Sequence, residues 1–250
     1  MLMKYACGFV TFLAASVLSQ VHAADVPASL QINAPAPLYN WTGCYLGVEG
    51  GGSLGQSQHT AVTSPNPVDV GRPITNKFDM KGGIFGGTVG CSYQLSAAVL
   101  GIENDFSWTG IKGSANDIAP FNTAATSTTS ERWLDTARVR AGFAWNQFLI
   151  YGTGGAAFAD TSVLVCGAVE CASDSGIQVG WVAGAGAEWA MWTGPAGTWI
   201  VKVEYLHADI GSGRYINPPI MAPGGTIVTR DVALTNDIVR GGVNWKFNWP

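Results

Sequence analysis

Residues 199–206, WIVKVEYL, alternate between charged and apolar side chains with a period of two. Lys202 and Glu204 fall on one side of this segment, opposite Val201 and Val203. A period of two is typical of a β-strand with one polar and one apolar face. The same alternation recurs along most of the chain, which therefore predicts an all-β protein.

Eight segments of this kind can be read along the chain, separated by turn-forming residues. They are predicted at residues 42–55, 80–95, 98–110, 132–145, 148–161, 176–192, 198–211 and 235–247. Three connections are short turns, and four are long, at residues 56–79, 111–131, 162–175 and 212–234. The short and long connections alternate strictly, and the long ones are rich in Ser, Thr, Asn, Pro and Gly. Short turns at one end and long loops at the other are typical of an antiparallel up-and-down barrel in an outer membrane.

The composition also favours a membrane barrel. Only 12% of the residues are charged, against about 25% in an average soluble protein. Glycine (33 residues) and tryptophan (10 residues) are abundant. Outside the N-terminus, no apolar run approaches the ~20 residues of a membrane helix, so the transmembrane β-barrel is the membrane class that fits. The net charge of −4 is mild and does not indicate a nucleic-acid partner.

The tryptophans predict which face of the strands meets lipid. Near the short-turn ends lie Trp41, Trp145, Trp189, Trp192, Trp199, Trp245 and Trp249, and near the long-loop ends lie Trp108 and Trp133. Two aromatic belts around an aliphatic band are typical of a lipid-facing surface. The apolar face is therefore predicted to point outward and the charged face into the lumen. The opposite facing would make an ordinary soluble barrel.

This facing places ten charged side chains in the lumen. They are Glu49, Glu103, Asp105, Glu188 and Glu204 with Arg138, Arg140, Lys202, Arg240 and Lys246. An unpaired buried charge costs several kcal/mol, so five acids against five bases predict an ion-paired network. Eight strands enclose an interior that side chains can fill. We therefore expect a packed lumen without a wide aqueous channel.

The N-terminus has the features of an export signal. Lys4 precedes the short apolar run CGFVTFLAASVL, and Val21-His22-Ala23 resembles a cleavage site. These features predict a signal peptide at residues 1–23, followed by a Pro-rich periplasmic lead-in at 24–40 and a barrel domain at 41–250. The predicted location is the bacterial cell outer membrane.

Seven segments resemble one family. They are WTGCYLGVEGGGSLG, GGIFGGTVGCSYQL, LGIENDFSWTGIKGS, WLDTARVRAGFAW, GWVAGAGAEWA, KVEYLHADIG and IVRGGVNWKF. In this order they are similar to the alphaproteobacterial outer-membrane β-barrels, the porin-family or OmpA-like small outer-membrane proteins of rhizobia and brucellae. The resemblance covers residues 35–247 and implies an eight-stranded transmembrane β-barrel without enzymatic activity. Val243, Trp245 and Phe247 resemble the signal that the barrel-assembly machinery reads during insertion, although three residues follow Phe247 here.

Four cysteines remain after the predicted signal peptide, and three pairings are possible. Cys166 and Cys171 fall within one predicted extracellular loop. Cys44 and Cys91 fall near the periplasmic ends of neighbouring strands and share the parity of the lipid-facing residues. In an oxidising compartment this geometry favours the disulfides Cys44–Cys91 and Cys166–Cys171.

Catalytic and metal-binding patterns are not evident in the sequence. After the predicted signal peptide the histidines are His59 and His207, and neither has a ligand spacing typical of metal sites. We therefore expect no enzyme, no cofactor and no metal. The favoured function is a structural outer-membrane barrel that contributes to envelope integrity and presents surface loops.

Expected partners are outer-membrane lipid, lipopolysaccharide and the barrel-assembly machinery, with the protein itself a monomer or weak oligomer. One alternative function is a narrow porin for passive diffusion of small solutes. A more distant alternative is a secreted, lipocalin-like soluble binder.

Overall fold

The structure, a computed structural model, describes residues 39–64, 66–167, 170–217 and 228–247. It contains the eight strands β1 (Gly43–Ala61), β2 (Phe78–Leu95), β3 (Ala98–Asn116), β4 (Thr126–Trp145), β5 (Phe148–Cys166), β6 (Cys171–Gly194), β7 (Gly197–Asn217) and β8 (Val228–Phe247). A short 3-10 turn at Pro67–Asp69 lies in the first long connection. The predicted signal peptide, most of the predicted lead-in and residues 248–250 lie outside the described residues.

The eight strands form one closed antiparallel barrel in chain order. Each strand pairs with the next, and β1 pairs with β8 from Tyr45 opposite Lys246 to Ala61 opposite Arg230. This last ladder closes the sheet, so every strand is hydrogen-bonded on both sides and the barrel has no free edge. The predicted fold class, strand number and strand order are therefore confirmed.

Tight turns join the strands at one end, as predicted. Ser96 and Asn146 lie in two of these turns and have positive φ angles of 57° and 56°. Asn tolerates this left-handed conformation better than most residues because its short side chain bonds to the nearby backbone. Within the described residues, no helix is long and apolar enough to cross a membrane.

The strands are longer than the sequence predicted. They run for 18 to 24 residues, whereas about 9–11 residues suffice to cross a membrane. The prediction of a long loop at 162–175 was wrong, because β5 continues to Cys166 and β6 begins at Cys171. Ser162 and Val163 fall in the predicted loop, yet small and β-branched residues continue a ladder without strain. The barrel therefore extends beyond the membrane on the long-loop side.

The outer face of the barrel is apolar across one band. Its exposed side chains include Leu46, Val48, Phe85, Val89, Leu100, Ile102, Val139, Phe143, Ile150, Val201, Val203 and Val239. Tryptophans border the band, with Trp145 79% exposed near one end of β4 and Trp108 62% exposed toward the other side. Trp133 and Trp145 mark the two ends of the lipid-facing part of β4. A surface that is apolar in the middle and aromatic at both margins fits a bilayer.

Trp41 does not belong to the predicted aromatic belt. Its side chain is only 2% exposed, because it turns into the barrel instead of toward lipid. Trp249 was also assigned to this belt, and it lies outside the described residues.

Candidate functional site in the barrel lumen

The charged residues predicted to line the lumen are all buried. Each of the ten is between 1% and 5% exposed, because strand periodicity turns it away from the lipid-facing side chains of the same strand. Nine of the ten form one continuous ion-pair network, and Lys246 is separate from it. The nine residues come from six strands, so the network links opposite walls of the barrel.

Two arginines lie at the centre of this network. Arg138 on β4 contacts Glu103 and Asp105 on β3, and its Nη1 lies 2.9 Å from Oε1 of Glu204 on β7. Arg240 on β8 contacts Glu49, and its Nη2 lies 2.7 Å from Asp105 and 2.6 Å from Glu204. Guanidinium groups carry five fixed donors, so each can satisfy carboxylates on several strands at once.

Arg140 and Lys202 extend the network. Arg140 lies 2.9 Å from Glu103 and 2.8 Å from Glu188, measured between the closest nitrogen and oxygen atoms. The Lys202 ammonium lies 3.0 Å from Glu49, 3.4 Å from Glu103 and 3.8 Å from Asp105. Every acid of the network therefore contacts at least one base.

Two tyrosines that the sequence reading did not assign also belong to this site. The Tyr45 hydroxyl donates to Glu103 at 2.6 Å and accepts a hydrogen bond from Arg140 at 2.6 Å. The Tyr151 hydroxyl donates to Glu204 at 3.0 Å, and its ring centroid lies 3.9 Å from the guanidinium carbon of Arg140. Their inward parity on β1 and β5 was the available signal for placing them in the lumen.

Each tyrosine lies directly opposite a glycine on the neighbouring strand. Tyr45 pairs in register with Gly90, and Tyr151 pairs with Gly186. A Cβ atom on Gly186 would lie 2.5 Å from the Tyr151 hydroxyl, and one on Gly90 would overlap the Tyr45 hydroxyl. The missing side chains leave the space that the aromatic rings occupy.

The acid cluster within the network is fully engaged by protein cations. Carboxylate oxygens of Glu103, Asp105 and Glu204 come within 4.8 Å of one another, a spacing that could hold a metal ion. Arg138 contacts all three of these residues, and Arg240 contacts two of them. The guanidinium groups therefore occupy the position in which a bound cation would neutralise the acids.

An apolar layer fills the lumen on the long-loop side of the network. Its members include Phe78, Met80, Ile84, Ile111, Leu134, Val182, Leu206, Ile210, Leu234 and Ile238. This layer was not predicted, because the sequence pattern was taken to place charges on the inward face along the whole barrel.

The sequence signal for this layer is a change along a single strand, at which the polar and the apolar side chains exchange faces. On β8, Arg240 and Asn244 face the lumen, but toward the long loops Ile238 and Leu234 are buried and Asp237 faces outward. The inward face changes from polar to apolar where the outer face changes from apolar to polar. A barrel wall beyond the membrane meets water on its outer face, so it follows the pattern of a soluble protein.

A second apolar layer closes the short-turn end of the lumen. It contains Tyr39, Trp41, Val99, Ala144, Leu149, Tyr151, Ala190 and Ile200. Tyr39 and Trp41 precede β1 and reach in from outside the strand ladder. Trp41 donates its indole N–H to the Asn146 carbonyl at 3.1 Å, and its backbone N–H bonds to Gln94 at 2.7 Å. We call Tyr39 and Trp41 the periplasmic plug.

Lys246 contacts this plug and lies outside the ion-pair network, so the prediction that it is part of the network was wrong. Its ammonium donates to the carbonyls of Asn40 and Thr42 and lies 4.5 Å from the Tyr39 ring centroid. Among the described residues it forms no ion pair. On the closing ladder Glu49 pairs with Gly242, four residues before Lys246, which at about 3.4 Å per residue is about 14 Å away along β8. The Lys246 ammonium points the other way, to the carbonyls at the short-turn end.

Loops fold over the opposite end of the lumen. Ile74 and Thr75 of the first long connection are fully buried, and Thr75 forms a β-bridge with Asp117 at the start of the second connection. Asp117 lies 3.1 Å from Arg230 on β8, and both residues are buried. These contacts join two loops to the wall across the mouth.

Polar side chains lie beneath these loops, above the aromatic belt. His59 bonds to Thr129 at 2.8 Å, and Glu131 accepts a hydrogen bond from Asn236 at 2.7 Å. Burial lowers the pKa of His59 to about 3, with a further contribution from the positive charge of Arg230. Burial raises the pKa of Glu131 to about 7, against the favourable hydrogen bond from Asn236. The sequence predicts a loop at His59, whereas β1 continues to Ala61.

Both predicted disulfides form. Cys44 on β1 pairs in register with Cys91 on β2, and the two are bonded. Cys166 and Cys171 are also bonded, but they end β5 and begin β6 instead of lying within a long loop. Each disulfide therefore joins two residues that the ladder already places opposite each other.

The residues of the predicted assembly signal lie on the outer face of β8. Val243 is 38% and Phe247 is 41% exposed, and Trp245 packs edge-on against Trp199 with ring centroids 4.8 Å apart. Their role in insertion stays a prediction.

A family profile for the outer membrane protein beta-barrel domain matches residues 10–247. The chain belongs to this family of outer-membrane β-barrels. The 31 kDa outer-membrane immunogenic protein of Brucella melitensis is 30% identical over 217 residues, which cover 82% of this chain and 87% of that protein. The 22 kDa outer membrane protein of Rhizobium leguminosarum is 27% identical, over 72% of this chain and 69% of that protein.

Among solved structures, the outer membrane protein OprG of Pseudomonas aeruginosa is similar with a TM-score of 0.47 and 11% identity. The match covers 84% of this chain and 99% of OprG. The family match and the named relatives place this β-barrel in the bacterial outer membrane.

Proposed function

We propose that this outer-membrane β-barrel has a structural role, contributing to envelope integrity and presenting surface loops, with a lumen closed to solutes. The observation that carries the proposal is the filling of the lumen in successive layers. The ion-pair network lies between two apolar layers, one of which includes the periplasmic plug. Moving a hydrated solute through these layers would require breaking buried ion pairs, which costs several kcal/mol each.

The extension of the barrel beyond the membrane supports surface presentation. The strands continue past the lipid-facing band on the long-loop side, so the loops stand away from the bilayer on a rigid wall. The first and second long loops are joined to each other through Thr75 and Asp117, and Asp117 is ion-paired with Arg230 on the wall. These contacts fix the shape of the surface that the loops present. Relatives from Brucella are named immunogenic, a description that is compatible with such display.

We propose no catalytic activity, cofactor or nucleic-acid partner for this barrel. Its proposed partners are outer-membrane lipid, lipopolysaccharide and, during insertion, the barrel-assembly machinery acting on Val243, Trp245 and Phe247. We propose that the protein is a monomer or a weak oligomer, because a closed barrel leaves no strand edge for pairing with another chain.

Planar-bilayer recording tests the closed lumen. Purified protein should give no stable channels under conditions in which a porin of known conductance, reconstituted in parallel, gives them. The double variant Tyr39→Ala, Trp41→Ala should also stay closed, because the ion-pair network and the apolar layer on the long-loop side still fill the lumen. Large, stable channels from the unmodified protein would reject the closed barrel in favour of a porin for small solutes.

A further inference from the structure

Two lysines lie directly opposite each other on the outer surface of the barrel. Lys81 on β2 pairs in register with Lys112 on β3, and both side chains are exposed. Lys81 shares the outward parity of Phe85, and Lys112 shares that of Trp108. Directly opposed residues on neighbouring strands have Cβ atoms about 4.5–5.5 Å apart, and like charges at that spacing destabilise a sheet.

Neither lysine has an acidic partner within the described residues. The next outward carboxylate along β2, Asp79, instead accepts a hydrogen bond from Gln56 at 3.4 Å. On the far side of Lys112, the register partner on β4 is Ser130. Among the described residues, therefore, no carboxylate forms an ion pair with either ammonium group.

A nearby arginine shows the contrast. Arg132 on β4 is also outward and exposed, and its guanidinium lies 2.8 Å from Asp160 on β5. The described part of the wall therefore supplies an ion-pair partner to Arg132 and none to the lysine pair.

The lysine pair lies at the upper margin of the lipid-facing band. Leu100, near the short-turn end of β3, is 51% exposed, and Lys112 lies twelve residues further along the same strand. At about 3.4 Å per residue and a tilt of about 35–45°, these residues are about 30 Å apart along the barrel axis. That distance matches the ~30 Å hydrocarbon core of a bilayer, so the ammonium groups lie at headgroup level.

The polarity of β2 marks the same level independently. Below the pair, Phe85 on the outer face is 61% exposed, and above it the next outward residue is the exposed Asp79. Lys81 therefore lies where the outer face of the strand changes from apolar to polar.

We propose that Lys81 and Lys112 bind the phosphate of a lipid headgroup in the leaflet on the long-loop side. Two unpaired ammonium groups offer six N–H donors and two positive charges to one anion. A phosphate between them would replace their mutual repulsion by two charge-assisted hydrogen bonds. The inference rests on the proposed function in one respect, that the long loops face the cell surface. It does not depend on whether the lumen conducts solutes.

Native mass spectrometry of the full barrel in neutral detergent tests the site. The probes are diphosphoryl lipid A, the same lipid without phosphates, and inorganic phosphate. We expect retention of the diphosphoryl lipid, about tenfold weaker retention by the double variant Lys81→Gln, Lys112→Gln, and no change in Lys77→Gln. Lys77 is a matched control because it is an exposed lysine outside the strand pair.

Three outcomes would overturn the proposal. They are equal retention by the double variant, equal retention of the dephosphorylated lipid, and binding of inorganic phosphate as tight as that of the lipid, which would exclude the lipid as the source of the anion.

The single variant Lys81→Glu gives a second readout if the double variant does not fold. It places an acid directly opposite Lys112, so it should lose retention of the diphosphoryl lipid while its thermal midpoint in lipid-free detergent rises. A lower midpoint together with unchanged lipid retention would contradict the site. The conductance of these variants should match that of the unmodified barrel, which separates this proposal from the closed lumen.

Discussion

The Lys246 ammonium lies 4.5 Å from the Tyr39 ring centroid, at the short-turn end of the lumen. This contact joins the end of the last strand to the segment that precedes the first. Lys246 and the backbone carbonyls of Asn40 and Thr42 hold that segment across the mouth. The plug is therefore fixed by the same strands that close the barrel, and its contribution to stability can be measured.

Trp41→Ala should lower the free energy of unfolding by about 3–5 kcal/mol, the usual cost of removing a buried aromatic side chain. Trp41 is 2% exposed and makes two hydrogen bonds to neighbouring turns and strands. Urea titration of detergent-solubilised protein, followed by tryptophan fluorescence, measures the change. Trp145→Ala is the matched control, because Trp145 is 79% exposed. It should lose less than half as much, and equal losses would contradict an inward plug.

Arg138→Ala should lower the free energy of unfolding by about 3–5 kcal/mol, because it leaves buried carboxylates without their partner. Arg138 contacts three acids, and its side chain is fully buried. In Arg132→Ala the ion pair with Asp160 is lost from a side chain that is 60% exposed, so we expect a much smaller cost, because solvent screens an exposed pair. The same urea titration compares the two. Similar costs would mean that the network contributes no more than a surface pair.

Gly186→Ala should destabilise the barrel by about 1–3 kcal/mol through overpacking. Its new Cβ would lie 2.5 Å from the Tyr151 hydroxyl, which is held by Glu204. Gly152→Ala is the control, because a Cβ there faces outward with its nearest atom 3.9 Å away. Unfolding midpoints in urea distinguish the two variants. A neutral Gly186→Ala would show that the tyrosine ring can move aside.

Glu131 should make stability depend on pH. Burial raises its pKa from the ordinary 4.5 to about 7, so between these values the folded barrel keeps a proton that the unfolded chain has released. The free energy of unfolding should therefore fall as pH rises from 4.5 to 7, by about 3 kcal/mol, and stay constant above. Glu131→Gln should remove this slope and be the more stable protein at pH 8. Unfolding at pH 5, 6, 7 and 8 measures both effects, and a slope that survives the substitution would assign it to another group.

The two disulfides should differ in their contribution to stability. They span 47 and 5 residues, and by loop-closure entropy their removal should cost about 4 and about 2 kcal/mol respectively. The pairs Cys44→Ser, Cys91→Ser and Cys166→Ser, Cys171→Ser test this by urea unfolding. Peptide mass mapping without reduction checks the pairing itself. A bond between Cys44 and Cys166 would contradict the strand order.

The features of the fold that could be predicted are those encoded by residues close together in the sequence. The lumen facing of Lys202 and Glu204 follows from alternation within one strand, and the order of the strands follows from the lengths of the turns. Trp41 was assigned to the wrong surface because a tryptophan at a strand end suits an aromatic belt and a plug equally well. Its hydrogen bond to Asn146 joins residues 105 positions apart, a contact that local pattern does not encode.

The position of Lys246 was unpredictable for a similar reason. The numbers of acids and bases indicate that the inward charges balance. They do not indicate which residues lie at the same height along the barrel axis, because the strands are tilted. The inversion of polarity at the upper end of β8 was, in contrast, visible in the sequence. Asp237 and Arg240 have opposite parity, and that change alone marks where the strand leaves lipid.

The closing ladder between β1 and β8 sets the order in which this chain can finish folding. Tyr45 and Lys246, which pair in that ladder, are 201 positions apart, so the first strand to be exported has no second neighbour until the last strand arrives. Until then, both terminal strands expose unsatisfied peptide groups to whatever surrounds them. A chain that stopped short of the twenty residues of β8 would be an open sheet with two unpaired edges, which is prone to aggregation. The wall is sealed only when this last strand pairs with β1.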